Sequence, residues 1–277
     1  MRPHLLQITF VVVVIFFTLT YQRECGAQQP KKPTLVEGQL FRPYDERRGD
    51  WHPRSLKYQD VEFESADGTQ LHGWFCQRDK PNAIVLFSHG NEGNVAIRAG
   101  LLRILMTKLN VSIFIYDYRG YGKSKGVPTI DGALQDARAA RAKLCELSSI
   151  QDSDMILMGD SLGGAFSVQL AAESSPRALV LQSTFSSLRE AADQLYPELA
   201  FLVGRDLLDS KTRIADFSGP LFQSHGDADR TISIRLGKKL FREAKEPKTF
   251  FEVAGADHND WLTEGYLQAL AEFIKKL

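Results

Sequence analysis

Six short and nearly unbroken apolar runs constrain this chain more than any other feature. They read AIVLF at 83–87, VSIFIY at 111–116, MILM at 155–158, ALVL at 178–181, LF at 221–222 and FFEV at 250–253. Apolar side chains at consecutive positions face both sides of an extended backbone, so such runs suit parallel strands covered by helices on both faces. Helical stretches separate most of them. Residues 95–109 place Leu101, Leu102, Leu105 and Leu109 on one stripe behind Asn94 as N-cap, and 162–173 stops before Ser174-Ser175-Pro176. Leu262, Tyr266, Ala269, Leu270, Phe273 and Leu277 stripe a final helix. The alternation predicts an α/β fold on a doubly wound, mostly parallel sheet, whose ligands gather beyond the carboxyl ends of the strands. An antiparallel N-terminal hairpin is expected before it, from the polar and apolar alternation of 60–64, the Asp67-Gly68 turn and the strand-like 69–75.

The N-terminus follows a different logic. Arg2 and His4 precede an apolar stretch at 5–19, which as a helix at about 1.5 Å per residue spans ~22 Å, short of the ~30 Å hydrocarbon core. Cys25-Gly26-Ala27 puts small residues at −3 and −1 before Gln28. Residues 1–27 are therefore expected to be a signal peptide and the body extracytoplasmic, either secreted or periplasmic. The alternative is an N-terminal membrane anchor, with membrane association through residues 5–21. Segment 28–55 carries Pro30, Pro33, Pro43, Pro53 and the mixed-charge run at 45–50 without a sustained period, as in a linker or an arm laid over the domain. The domain itself is expected over 56–277.

Charge and cysteine content exclude several functions. Lys plus Arg and Asp plus Glu are both 34, so no basic excess exists to neutralise phosphates and nucleic acid is not an expected partner. None of the three cysteines stands in a C-x-x-C pair that would hold zinc or exchange electrons. Cys76 and Cys145, which outlast signal removal, are compatible either with pairing or with separate buried thiols. Gly122-Lys123-Ser124 is not a phosphate loop, because position 117 is Asp117 where that pattern needs glycine. Gly120-x-Gly122 is not a dinucleotide fingerprint either, since Pro128 and a turn-rich stretch follow it. Arg119 and its neighbours read as a structural loop beside the next motif.

The run at 155–158 leads into Gly159-Asp160-Ser161-Leu162-Gly163, and a helical stretch begins at once. G-x-S-x-G at a strand–turn–helix junction leaves the serine hydroxyl exposed on a turn too tight for bulky neighbours. A serine hydroxyl needs a base to become a nucleophile, and in this arrangement acid and histidine follow the serine along the chain. His4, His52, His72 and His89 precede Ser161, and His225 ends a strand with no acid between. His258 remains. The acid is sought in the loop after 221–222, where Asp227 and Asp229 compete. Asp227 follows a glycine and suits a turn, whereas Asp229 lies farther round, where its side chain can point back to an imidazole, and is preferred. For the oxyanion, Leu162 offers a backbone N–H at a helix N-terminus, and Asn91 in the Ser88-His89-Gly90-Asn91-Glu92-Gly93-Asn94 loop is the choice for a second.

His89-Gly90-Asn91, the 117–124 stretch DYRGYGKS, Gly159-Asp160-Ser161-Leu162-Gly163-Gly164, His225-Gly226 with Asp229, and His258-Asn259 together resemble the α/β-hydrolase superfamily. The resemblance runs from about Leu56 to Leu277. Within that superfamily these residues look like the Bem46-like, serine aminopeptidase-like branch with a short cap. The resemblance implies the α/β-hydrolase fold, Ser161, Asp229 and His258 as a triad, and Asn91 with Leu162 as the oxyanion hole. Asp257 stands where that branch often has glycine, and would add negative charge beside the imidazole. Segment 185–217 is too long for a simple crossover and is expected to form a small cap. Leu188, Ala191, Ala192, Leu195, Tyr196 and 199–203 give it an apolar surface for the core or for an acyl pocket.

The expected function is that of a serine esterase or thioesterase acting through an acyl-enzyme on a small-molecule or lipid-like acyl substrate, with no metal or organic cofactor. Two alternatives stand beside it. One is a serine peptidase of the aminopeptidase-like branch; the other is a non-catalytic binding protein of the same fold.

Overall fold

The computed structural model describes residues 32–277; the expected signal peptide and anchor, and the first residues of the arm, lie outside them. In chain order the elements are α1 (Leu35–Leu40), β1 (Arg42–Pro43), β2 (Gln59–Glu64), β3 (Gln70–Cys76), β4 (Ala83–Ser88), β5 (Glu92–Gly93), α2 (Ala99–Leu109), β6 (Val111–Asp117), α3 (Ile130–Ser148), β7 (Met155–Asp160), α4 (Ser161–Ser174), β8 (Ala178–Gln182), α5 (Leu188–Leu195), α6 (Ser210–Arg213), β9 (Leu221–Gly226), α7 (Ile234–Glu243), β10 (Lys248–Val253) and α8 (Glu264–Lys275). Among the described residues no helix is long and apolar enough to cross a membrane.

Eight strands form one sheet in the order β10-β9-β8-β7-β4-β6-β3-β2. All neighbours are parallel except the pairs β2/β3 and β3/β6. The period of two along each strand divides the core. Leu86, Phe114, Leu157 and Leu179 face one side, where α3, α4 and α7 pack, and Val85, Phe87, Ile113, Ile115, Ile156 and Met158 face the other, under α2 and α8. This is why the strand runs contain so few polar residues. The chain winds from β4 to β6 on one side and then crosses to β7 on the other, so the strand order reverses at β4/β7. At such a reversal the loops after the two strands part and leave a crevice.

Several boundaries differ from the sequence reading. Asn94 does cap, accepting from Ile97 N at 3.2 Å, but the first turn, Val95–Arg98, is a 3-10 helix before α2 begins. After Pro128, where turns were expected in place of a helix, α3 begins at once, because Thr129 caps it through Gly132 N. The arm has structure of its own. Thr34 and Glu37 form a capping box for α1, Phe41 enters the core, and β1 pairs in parallel with β5. One side chain, Asn94, donates to the carbonyls of Tyr44, Asp45 and Arg48 and holds the arm down. Cys76 is buried, Cys145 is half-buried, and both are free thiols.

Arg119 is a structural residue of the loop after β6. Its guanidinium reaches Asp136 Oδ1 at 2.8 Å, Asp67 Oδ2 at 2.7 Å and Ser65 Oγ at 3.1 Å, tying the β2–β3 turn to α3. Asp136 is fully buried, and burial raises its carboxyl despite Arg119. Removing the cation strands that carboxylate. Arg119→Ala should therefore cost roughly 3–5 kcal/mol of unfolding free energy, read from denaturant titration; a loss below about 1 kcal/mol, the usual value of an exposed pair, would contradict this role.

Candidate active site

β7 ends at Asp160 and α4 starts at Ser161, with no residue between them. To turn in that space Ser161 adopts φ +49°, the left-handed region that side chains ordinarily avoid. Glycine makes the turn possible. A Cβ on Gly163 would collide with the carbonyl oxygens of Ser88 and His89, one on Gly159 with the Gly163 carbonyl, and one on Gly164 would stand 2.7 Å from Thr184. Backbone thus packs on backbone where the end of β4 meets the start of α4.

The hydroxyl so presented meets two loops from later strands. Ser161 Oγ lies 3.0 Å from His258 Nε2, and His258 Nδ1 lies 2.7 Å from Asp229 Oδ2. His258 comes from the loop after β10 and Asp229 from the loop after β9. The other carboxylate oxygen of Asp229 accepts from Thr231 N at 2.9 Å and Ile232 N at 2.8 Å, so the group is held from both ends. Burial pushes the Asp229 carboxyl up, but hydrogen bonds from His225 and His258 outweigh it and hold the group well below the usual carboxylate range. Asp227 does not face the imidazole. Its Oδ1 accepts from Gly255 N at 2.6 Å and braces the loop that carries His258.

His225, set aside on chain order, is part of this site. Its Nε2 lies 2.8 Å from the Ile232 carbonyl and 3.2 Å from Asp229 Oδ2, so one carboxylate oxygen is approached by two imidazoles. A carbonyl only accepts, so the hydrogen of His225 is on Nε2. The ring is fully buried, in space left by Gly237, whose missing Cβ would meet it. The sequence signal was there: His225 precedes Asp229 by one helical turn's worth of chain at a strand end. Asp257 also differs from expectation. Its carboxylate binds Arg230, and the Arg230 backbone N–H and guanidinium bring its carboxyl down to about 2. Its negative charge is therefore compensated by a cation next to the imidazole.

On the other side of Ser161 stands the loop after β4. A Cβ on Gly90 would be 3.3 Å from Asp160 Oδ1 and 3.5 Å from Ser161 Cβ. The next residue, Asn91, is fixed through its other polar groups. Its carbonyl accepts from Arg42 N at 2.9 Å and Tyr121 Oη at 2.6 Å, and its side-chain amide donates to Leu40 O at 2.8 Å. None of these bonds uses the Asn91 N–H. Leu162 N–H, in the first turn of α4, is likewise free of an intrahelical partner.

The inserted segment between β8 and β9 holds α5, α6 and short 3-10 turns. Its apolar residues divide: Leu188, Ala191, Ala200 and Val203 enter the core, while Leu195, Tyr196, Leu199, Phe201 and Leu202 are exposed. Gln194 links it to the acid's loop, donating to Thr231 O at 3.3 Å and accepting from Ser233 N at 3.0 Å.

A doubly wound sheet with a serine on a strained strand–helix turn, and a histidine and a carboxylate on the later strand ends, defines the α/β-hydrolase class. The family model described as serine aminopeptidase, S33, matches residues 79–212. YfhR of Escherichia coli K12 is 31% identical over 87% of this chain and 88% of its own. The α/β-hydrolase domain-containing protein WAV2 of Arabidopsis thaliana is 32% identical over 80% of each chain, and bem46 of Schizosaccharomyces pombe 28% identical over 79% of this chain and 77% of its own. Among solved structures, that of the esterase Pf2001 of Pyrococcus furiosus superposes with a TM-score of 0.71 at 19% identity, over 86% of this chain and 98% of the other. The chain belongs to the α/β-hydrolase family.

Proposed function

We propose that this protein is a serine hydrolase that cleaves carboxylic esters or thioesters of small or lipid-like acyl compounds. A single observation carries the proposal: the unbroken hydroxyl–imidazole–carboxylate chain from Ser161 through His258 to Asp229. In the reaction His258 Nε2 takes the Ser161 proton as Oγ adds to the carbonyl carbon. The negative charge that develops on the carbonyl oxygen is received by Leu162 N–H and Asn91 N–H. His258, now protonated at both nitrogens and stabilised by Asp229, returns its proton to the leaving alcohol or thiol. Water, activated by the same imidazole, then adds to the acyl-enzyme and frees the acid.

The exposed apolar side chains of Leu195, Tyr196, Leu199, Phe201 and Leu202, on a segment linked to the Asp229 loop through Gln194, favour acyl substrates over charged peptide termini. The family description favours a second reading, aminopeptidase activity. Aryl esters, acyl thioesters and aminoacyl amides offered in one panel separate the two. Short to medium acyl esters or thioesters should be cleaved at least about a hundredfold more efficiently than the amides, as reflected in kcat/KM. Brisk amide cleavage with weak ester turnover would replace the esterase reading by the peptidase one.

A further inference from the structure

Next to the oxyanion loop the arm builds a cleft that the chemistry above does not use. Arg42, Tyr44, Asp45, Arg47, Arg48 and Glu92 enclose about 490 Å³. The acidic groups in it are already engaged. Asp45 pairs with Arg47, Oδ2 to Nε at 2.9 Å, and Glu92 Oε1 accepts from Tyr44 Oη at 2.7 Å. Arg48 lies over the Tyr44 ring, 4.5 Å from its centre, and among the described residues neither Arg42 nor Arg48 makes an ion pair. Three guanidinium groups thus stand against two carboxylates in the cleft, Glu92 held only by a neutral hydroxyl, and Arg42 and Arg48 line the concave surface without an ion pair.

The position of the cleft gives these charges a use. Arg42 N–H bonds the Asn91 carbonyl, and Asn91 follows Gly90, which abuts Ser161. The backbone under Arg42 and Arg48 is set by the β1–β5 pairing and by Asn94, which binds the carbonyls of Tyr44, Asp45 and Arg48. Arginine forks match the oxygens of phosphate and carboxylate, and a fixed backbone lowers the entropic cost of binding. Resting on the hydrolase reading, the geometry points to this cleft as a subsite for an anionic group on the alcohol part of the ester, a phosphate or a carboxylate, held by Arg42 and Arg48 while Ser161 attacks the acyl carbon.

The test compares butyryl esters of ethanol, of 2-hydroxyethyl phosphate and of 3-hydroxypropanoate, in the full-length protein and in the Arg42→Gln/Arg48→Gln variant. The readout is the ratio of kcat/KM for each anionic ester to that for the neutral one, which cancels any general loss of activity. In the unaltered protein at least one ratio should be about tenfold above unity and should shrink as salt is added. The phosphate and carboxylate arms show which anion the cleft takes. In the variant the ratio should fall to near one. Ratios at or below one in the unaltered protein, or a preference that survives both substitutions, would overturn the proposal. If no ester is hydrolysed, the hydrolase reading has failed, and the cleft is judged separately by calorimetric titration with 2-hydroxyethyl phosphate and 3-hydroxypropanoate. Binding that the variant loses supports the subsite; absent or equal binding refutes it.

Discussion

Ser161→Ala should abolish labelling by a fluorophosphonate probe and lower ester turnover by about 10⁴-fold or more, while the thermal transition stays nearly where it was. The probe's phosphorus is attacked by the same hydroxyl that would attack an acyl carbon, and the resulting charge falls on the same N–H donors. Removing the nucleophile of a triad costs nearly as much as removing the whole triad, which sets the size of the expected loss. The fold should tolerate the change. Among the described residues the serine Oγ bonds only to His258, it fills no core volume, and the left-handed turn at Ser161 is held by the glycine contacts of its neighbours, not by the hydroxyl. Intact labelling of the alanine variant would move the nucleophile elsewhere. An unaltered protein that neither reacts with the probe nor turns over any ester would fit the non-catalytic binding protein instead.

The second large effect separates two aspartates on one loop. Asp229→Asn should reduce kcat by about 10⁴-fold, because an amide turned toward His258 Nδ1 can present N–H and favour the wrong imidazole tautomer. Asp227→Asn should change kcat by less than about tenfold. Its role is to accept one hydrogen bond from Gly255 N, and an amide oxygen accepts as well. Steady-state kinetics of both variants decide the matter, and the reverse ranking would remove Asp229 from the proposed triad.

The parts of this molecule that could be read from sequence are those where a local rule and the tertiary structure agree. The strand runs are apolar because both sheet faces are covered, so parallel order followed from composition alone. Gly159, Gly163 and Gly164 marked the turn because a Cβ on the first two would strike backbone carbonyls and one on the third the Thr184 side chain. His258 could be isolated by chain order, and the preference for Asp229 rested on loop geometry; in the fold Asp229 Oδ2 lies 2.7 Å from His258 Nδ1. What escaped depends on partners distant in sequence. His225 looked idle because its acid lies after it on the same turn, and the neighbourhood of Asp229 is assembled only when β9 and β10 pair. The choice between a linker and an arm laid over the domain stayed open because the prolines and mixed charges of 28–55 have no period. The arm's order comes from Asn94, nearly fifty residues away, whose amide gathers three of its carbonyls. The charge expected from Asp257 could not be judged without Arg230, which sits on another loop.

The clasp between arm and oxyanion loop also bears on local stability. The Asn91 carbonyl accepts from Arg42 N–H and its side-chain amide donates to Leu40 O, both in the arm, while Tyr121 Oη holds the same carbonyl from the loop after β6. Fraying of residues 35–48 would withdraw Phe41 from the core and remove both arm contacts while leaving the strands of the sheet paired. The opening free energy of this one short segment would then set the fraction of molecules in which the arm holds the proposed Asn91 donor in place. Amide exchange along the arm becomes a gauge of how much of the population is poised to react at any moment.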